Sequence, residues 1–267
     1  MNKIKIFINT YKNEDLLKNN IDSLLTSDVV NYNHEINVIN NYTSEFNLQS
    51  YCDENNIKVL HNYLRPDFST GHLSRSWNQA IINGFKSLEN PDCDILVLVQ
   101  NDNLFMNNWC SYLIELHEKY EFISMGAGDQ FHSYKPEHIK KVGLWDERFC
   151  NIGYQEYDYF TRCFIYNKDN SSINDPKHKR ELNEVENNLI SLEDDLVGGM
   201  RNDKHHLDSL AYHNISKNTL ISKWGEKSEE SWNVDYLSSL TKSFIPNFIY
   251  YPYFEKDIDY SDKNYIM

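Results

Sequence analysis

Apolar positions along this chain switch between two periods. Residues 3–8 (KIKIFI) alternate and are rich in isoleucine, the pattern of a strand, and they run into the polar loop Asn9-Thr10-Tyr11-Lys12-Asn13. Residues 15–25 then carry apolar side chains at 16, 17, 21, 24 and 25, the spacing of an amphipathic helix. A second strand at 35–39 ends in Asn40-Asn41-Tyr42-Thr43, a helix is predicted over 48–55, and a third strand over 57–60. This alternation of strand and helix argues for a parallel sheet with helices on its faces.

After a loop with Pro66 and Gly71, residues 72–88 form a helix with Leu73, Trp77, Ala80, Ile81 and Phe85 inward. The stretch DILVLVQNDNLF (94–105) supplies the fourth strand, and it breaks abruptly into Gln100-Asn101-Asp102-Asn103. A helix at 109–120, a short strand at 122–125, a short helix at 136–142 and a Gly-led turn into a helix near Gln155 complete the pattern. Residues 168–206 are polar and read as an excursion from the core. The organisation expected is one α/β domain over 1–225, with 226–267 as an aromatic extension that packs on the domain or builds a homo-oligomer interface.

Composition narrows the function. With 267 residues, 40% hydrophobic, the chain can bury a substantial core. A net charge of −14 argues against nucleic acid as a partner, because phosphate backbones are gripped by excess Lys and Arg. Five cysteines, odd in number and without a C-x-x-C pair, are the usage of a reducing compartment. The N-terminus has no signal-like apolar region, and no window approaches the ~18 apolar residues of a spanning helix. A cytoplasmic protein without a transmembrane segment is therefore the expectation.

Polar clusters fall at three strand ends: 9–13, 40–43 and 100–103. In open α/β sheets that is where ligands lie. Asp102, between two asparagines, suits a hard Mg²⁺ or Mn²⁺ ion whose shell is completed by phosphate and water, although Asn-Asp-Asn is equally good turn chemistry. Glu156 and Asp158 stand at i and i+2, so a helix turns them to different faces. One of them is a candidate general base, while the other caps the helix or pairs with an arginine. His213 is a candidate metal ligand and Lys217 a candidate phosphate contact, against the commoner role of a histidine as a packed or surface side chain. Arg75 and Asn78, on the helix after the third strand, could meet a diphosphate. Neither a P-loop nor a G-x-G-x-x-G is present, which counts against ATPase and dehydrogenase chemistry.

In this order the pieces resemble a glycosyltransferase of the GT-A fold, most like the inverting family 2. KIKIFINTYKNEDLLKNNIDSLL is similar to that family's opening strand, nucleotide loop and helix. EINVINNYTSE resembles its second strand, with Asn40 and Asn41 where the family carries acids. HNYLRPDFSTGHLSRSWNQAI is similar to its Gly-to-Arg-Asn stretch, giving Gly71, Arg75 and Asn78. VLVQNDNLF resembles its Asp-x-Asp region, with Asp102 surviving, and GLWDERFCNIGYQEYDYFTR is the most specific match, with Glu156 at the base position and Asp158 as the second acid. The resemblance implies a Rossmann-like, mainly parallel sheet with helices on both faces. It implies a nucleoside-diphosphate sugar donor, UDP-sugar favoured, gripped by Asn9, Thr10, Tyr11, Asn40, Asn41, Arg75, Asn78, Asn101 and Lys217. A divalent cation (Mn²⁺ or Mg²⁺) would be held by Asp102 and His213, and transfer to a glycan or glycoconjugate hydroxyl would proceed with inversion. The competing expectation is a GT-A-like nucleotide-sugar-binding or scaffold protein whose catalytic set has eroded, since the acids expected at 40 and 100 are amides.

Overall fold

The computed structural model describes residues 2–41, 46–62, 73–125, 130–149, 153–167 and 204–224; for 164, 165 and 204–213 it describes the backbone alone. Tyr42, Thr43, Gly71, most of the polar excursion and the whole aromatic extension lie outside the described residues.

Among the described residues six strands form one sheet: β1 (Lys3–Thr10), β2 (Asn33–Asn40), β3 (Lys58–His61), β4 (Ile95–Gln100), β5 (Phe122–Met125) and β6 (Phe131–Tyr134). Their order across the sheet is β3-β2-β1-β4-β6-β5. The pairs β1–β2, β1–β4 and β2–β3 are parallel, and β6 runs antiparallel to both β4 and β5. Seven helices accompany them among the described residues: α1 (Glu14–Leu25), α2 (Gln49–Glu54), α3 (Leu73–Phe85), α4 (Trp109–Lys119), α5 (Pro136–Val142), α6 (Tyr154–Tyr166) and α7 (Lys204–Trp224). A short 3₁₀ turn, Asp28–Asn31, links α1 to β2. The α/β architecture expected from the sequence is the one observed.

The central strands are continuous apolar runs because both faces of the sheet are covered. Strand β4 sends Ile95, Val97 and Val99 into a core shared with Leu17, Ile21 and Leu24 of α1 and Trp109 and Leu113 of α4. Its alternate residues, Leu96 and Leu98, enter a second core with Trp77, Ile81 and Phe85 of α3 and Trp145 and Tyr159. Strand β1 divides in the same way, with Ile4, Ile6 and Ile8 on the α1 side and Phe7 on the α3 side. Helix α3 lies close to the sheet at Gly84, where an added Cβ would stand 2.5 Å from Leu96 Cδ1. Among the described residues four free thiols are buried, Cys52 and Cys110 in the first core and Cys93 and Cys163 in the second.

Two elements go beyond the sequence pattern. Strand β6 reads FHSY, with two polar residues in four, yet all four are buried. His132 stacks on Trp145 with ring centroids 5.2 Å apart. Ser133 Oγ donates to Nε2 of His117 at 2.7 Å, a direction fixed because His117 Nδ1 must donate to the Tyr120 carbonyl at 2.9 Å. Ser133 thus finds a long-range hydrogen-bond partner and His132 a stacking surface, neither of which is visible when the sequence is read alone. Helix α7 has a weakly segregated apolar face; it is held where Leu220 and Trp224 pack with Phe149 and Tyr157. No helix among the described residues is long and apolar enough to cross a membrane.

Candidate active site

The chain leaves β1 through α1 toward β2 on one face and enters β4 from α3 on the other, so the connections diverge between β1 and β4. A crevice opens at such a point outside the carboxyl ends of the strands. The polar tips meet there.

On the α3 face the tips form a chain of neutral amides. Asn62, just past β3, donates from Nδ2 to Gln79 Oε1 at 2.9 Å and to Asn41 Oδ1 at 2.8 Å. Asn41 donates in turn to Asn9 Oδ1 at 2.6 Å and to Ser76 Oγ at 3.2 Å. On the α1 face Asn101 donates to Thr10 Oγ1 at 3.0 Å and to the Asn13 carbonyl at 3.4 Å. Asn9, Thr10, Asn41 and Asn101 are all buried, as is Tyr11. Asn40 faces sideways, donating to His61 Nδ1 at 3.2 Å, while His61 Nε2 donates to Gln49 Oε1 at 3.1 Å.

The abrupt end of β4 has a structural explanation in its neighbours. Asn103, fully buried, donates to the carbonyls of Gln100 at 2.9 Å and Gln130 at 3.3 Å, and Asn20 of α1 donates to the Asn103 carbonyl at 2.7 Å. Asn101 and Asn103 therefore build the turn, and half-buried Asp102 sits at its tip with Oδ1 3.4 Å from Asn103 Nδ2. The turn chemistry foreseen for Asn-Asp-Asn is present, carried by Asn101 and Asn103. Among the described residues no three His, Cys, Asp or Glu side chains converge as a metal cage. A carboxylate at a strand tip fits Mg²⁺ or Mn²⁺ that brings phosphate oxygens and water as its remaining ligands. His213 lies on α7, and its side chain is outside the described set.

The two acids of α6 have separate surroundings. Glu156 is buried, and its Oε2 accepts from the Gly153 amide at 2.5 Å, tying the first turn of the helix to the glycine before it. Gly153 has φ 96°, a conformation that favours glycine. Asp158 is wholly buried and accepts from Arg162 Nε at 3.1 Å and Trp224 Nε1 at 2.8 Å, with Arg162 Nη2 at 3.0 Å and Lys223 Nζ at 2.6 Å. Burial alone would raise its pKa, but Lys223 and Arg162 outweigh that and hold the carboxyl below its ordinary value. Lys223 also reaches Asp146 Oδ2 at 2.9 Å, which Arg148 grips through Nη2 at 2.8 Å. Arg162 further donates to the carbonyls of Val142 and Leu144 at 2.8 and 2.7 Å. Of the alternatives the sequence leaves open, capping falls to Glu156 and arginine pairing to Asp158.

The remaining candidates are dispersed. Asn78 is buried and clamps the segment before α6, donating to the Trp145 carbonyl at 2.8 Å and Glu147 Oε1 at 2.9 Å and accepting from the Trp145 amide at 2.8 Å. Arg75, one turn earlier on α3, is exposed, and Lys217 is half-buried on α7. Sequence reasoning missed Asn62, Ser76, Gln79, Asp146, Lys223 and Trp224. Asn62 carried a usable signal, since β3 also ends in polar residues; Lys223 and Trp224 carried none.

No protein-family model matches the chain, and no curated protein does. Solved structures to which part of the chain is similar include S. aureus TarS 1–349, at 11% identity and TM-score 0.44, with 60% of this chain and 56% of that one covered. Another is the mannosyltransferase PcManGT from Pyrobaculum calidifontis, in complex with GDP-Man and Mn²⁺, at 10% identity and TM-score 0.45, covering 63% of this chain and 53% of that one. GalNAc-T7 with UDP, GalNAc and Mn²⁺ is similar at 13% identity and TM-score 0.46, covering 60% of this chain and 40% of that one. The matches thus span about half the length of these chains or less.

Proposed function

We propose that this protein is a glycosyltransferase that moves a sugar from a nucleoside-diphosphate sugar to a hydroxyl of a glycan or glycoconjugate acceptor, with inversion. The observation that carries this is the meeting of polar tips at the carboxyl ends of β1, β2 and β4, where buried neutral amides surround the strand ends and Asp102 supplies a carboxylate. In this reading the amides take the nucleoside, with Thr10 and Tyr11 beside it. Asp102 holds Mg²⁺ or Mn²⁺ against the diphosphate, and the ion, when bound, neutralises charge on the leaving group. Arg75 and Lys217 are the cations assigned to the outer phosphate. Glu156, oriented through the Gly153 amide, takes the acceptor proton as general base. Asp158 is assigned to anchoring α6, its carboxylate being surrounded by Arg162, Lys223 and Trp224.

A second reading, a nucleotide-sugar-binding scaffold without turnover, is favoured by the amides Asn40 and Gln100, which stand where acids are expected. Calorimetry against UDP, GDP, TDP and CDP, with and without Mn²⁺ or Mg²⁺, followed by a transfer assay on the donor that binds, separates the two. Asp102→Ala is expected to abolish metal-dependent binding. Glu156→Gln is expected to keep binding and lower transfer by ~10²–10⁴. Absence of binding to every diphosphate overturns both readings, binding without transfer leaves the scaffold, and wild-type transfer by Glu156→Gln removes Glu156 as the base.

A further inference from the structure

The amide chain on the α3 face has a direction. Both described bonds of Asn62 Nδ2 are donated, one to Gln79 and one to Asn41 Oδ1, so Asn41 must present Nδ2 to Asn9. Asn41 is thereby occupied on both ends of its amide, with Ser76 as the additional partner. Asn9 is fixed with Oδ1 turned inward. Its Nδ2 makes no hydrogen bond to a described residue and is not among the atoms sealed from solvent, although the residue as a whole is only 6% exposed. A nine-tenths-buried amide with a spare donor at a strand tip is a built half of a hydrogen bond.

We propose that Asn9 is the specificity-determining residue for the nucleobase, donating from Nδ2 to a ring carbonyl, and that Asn62 sets this polarity at a distance through Asn41. The inference rests on the proposed nucleotide site and adds to it which chemical edge is read. Asn41 occupies the place of a family acid, but its amide is already used within the protein. Asn40 is turned to His61, and Asn101 serves the opposite face. A donor at Asn9 favours a 4-oxo pyrimidine, whose carbonyl accepts, over a 4-amino pyrimidine, whose amine would oppose it N–H to N–H. Uridine and cytidine diphosphates differ at this edge and share the ribose and diphosphate, so the phosphate contribution cancels in their ratio.

The test is calorimetric titration of UDP and CDP with Mg²⁺ into wild type, Asn41→Asp and Asn62→Ala, with thermal melts to verify folding. Wild type is expected to bind UDP about tenfold or more tighter than CDP. Asn41→Asp is isosteric and can only accept, so Asn9 must turn Nδ2 inward and offer Oδ1 to the ligand; the preference is expected to fall to parity or reverse, with a gain in CDP affinity. Asn62→Ala adds no charge, releases Asn41 to turn either way, and is expected to bring the ratio toward one. Equal binding of UDP and CDP by wild type, a preference for CDP, or an unchanged ratio in both folded variants overturns the inference while leaving the nucleotide site standing. Failure of wild type to bind either nucleotide overturns the proposed site itself.

Discussion

Asp158→Asn separates an anchoring carboxylate from a catalytic one. The substitution keeps the side-chain shape and removes one negative charge from a group in which the buried Asp146 and Asp158 face the buried Arg162 and Lys223, with Arg148 at the rim. Removing one partner of a buried ion pair costs ~3–5 kcal/mol, because the opposite charge stays buried without compensation. Here Arg162 keeps two backbone carbonyls and Lys223 keeps Asp146, which places the expected loss near the lower end, about 3 kcal/mol. Against a net stability of ~5–15 kcal/mol this is a large fraction, readable as a drop in urea midpoint at constant slope. Adding Lys223→Met restores the charge balance of the cluster, so the double variant should be more stable than the sum of the single losses predicts, by ~0.5–3 kcal/mol. A variant that unfolds like wild type, within ~0.5 kcal/mol, while losing transfer would refute the anchoring role and return Asp158 to the chemistry.

Acid sensitivity and backbone strain give further checks. His117 is buried and beside Lys135, and its pKa is pushed down to about 3, burial being the larger cause. Its neutral form is the folded one, so its contribution is complete above the unfolded value of ~6.5 and is lost as pH falls below it; at pH 5 the loss is about 2 kcal/mol. Urea unfolding at pH 7 and pH 5 should show this slope in wild type and a shallower one in His117→Gln; equal slopes would remove His117 as the cause. Gly153→Ala should lose ~1–3 kcal/mol from backbone strain, since an added Cβ meets none of the described residues within 4 Å at φ 96°. Unaltered stability in that variant would show that the glycine conformation is dispensable.

The parts of the fold legible in the sequence are those in which one residue's surroundings are set by its neighbours in the chain. Strands β1 and β4 announce themselves because both faces are buried, and α1 and α3 because each presents one apolar stripe. Strand tips with polar residues were equally plain at Asn9, Asn41 and Asn101. Strand β6 was hidden because the partners of His132 and Ser133, Trp145 and His117, are far away in sequence. The surroundings of Asp158 were hidden for the same reason, since Lys223 and Trp224 arrive from a helix that lacks a clear apolar period. Asn78 was visible as a polar residue on a helix, but its engagement with the Trp145 backbone depends on a contact across the α3 core.

The buried thiols divide the molecule in a way that chemistry can follow. Burial pushes the Cys52 thiol up to about 11 and the Cys93 and Cys110 thiols up to about 12, so none of the three is nucleophilic while its layer stays closed. Cys52 and Cys110 belong to the layer on the α1 side, and Cys93 and Cys163 to the layer that carries α3 and α6. Alkylation of one pair ahead of the other would therefore tell which side of the sheet breathes first, turning ordinary core residues into a clock for local opening on either side of the crevice.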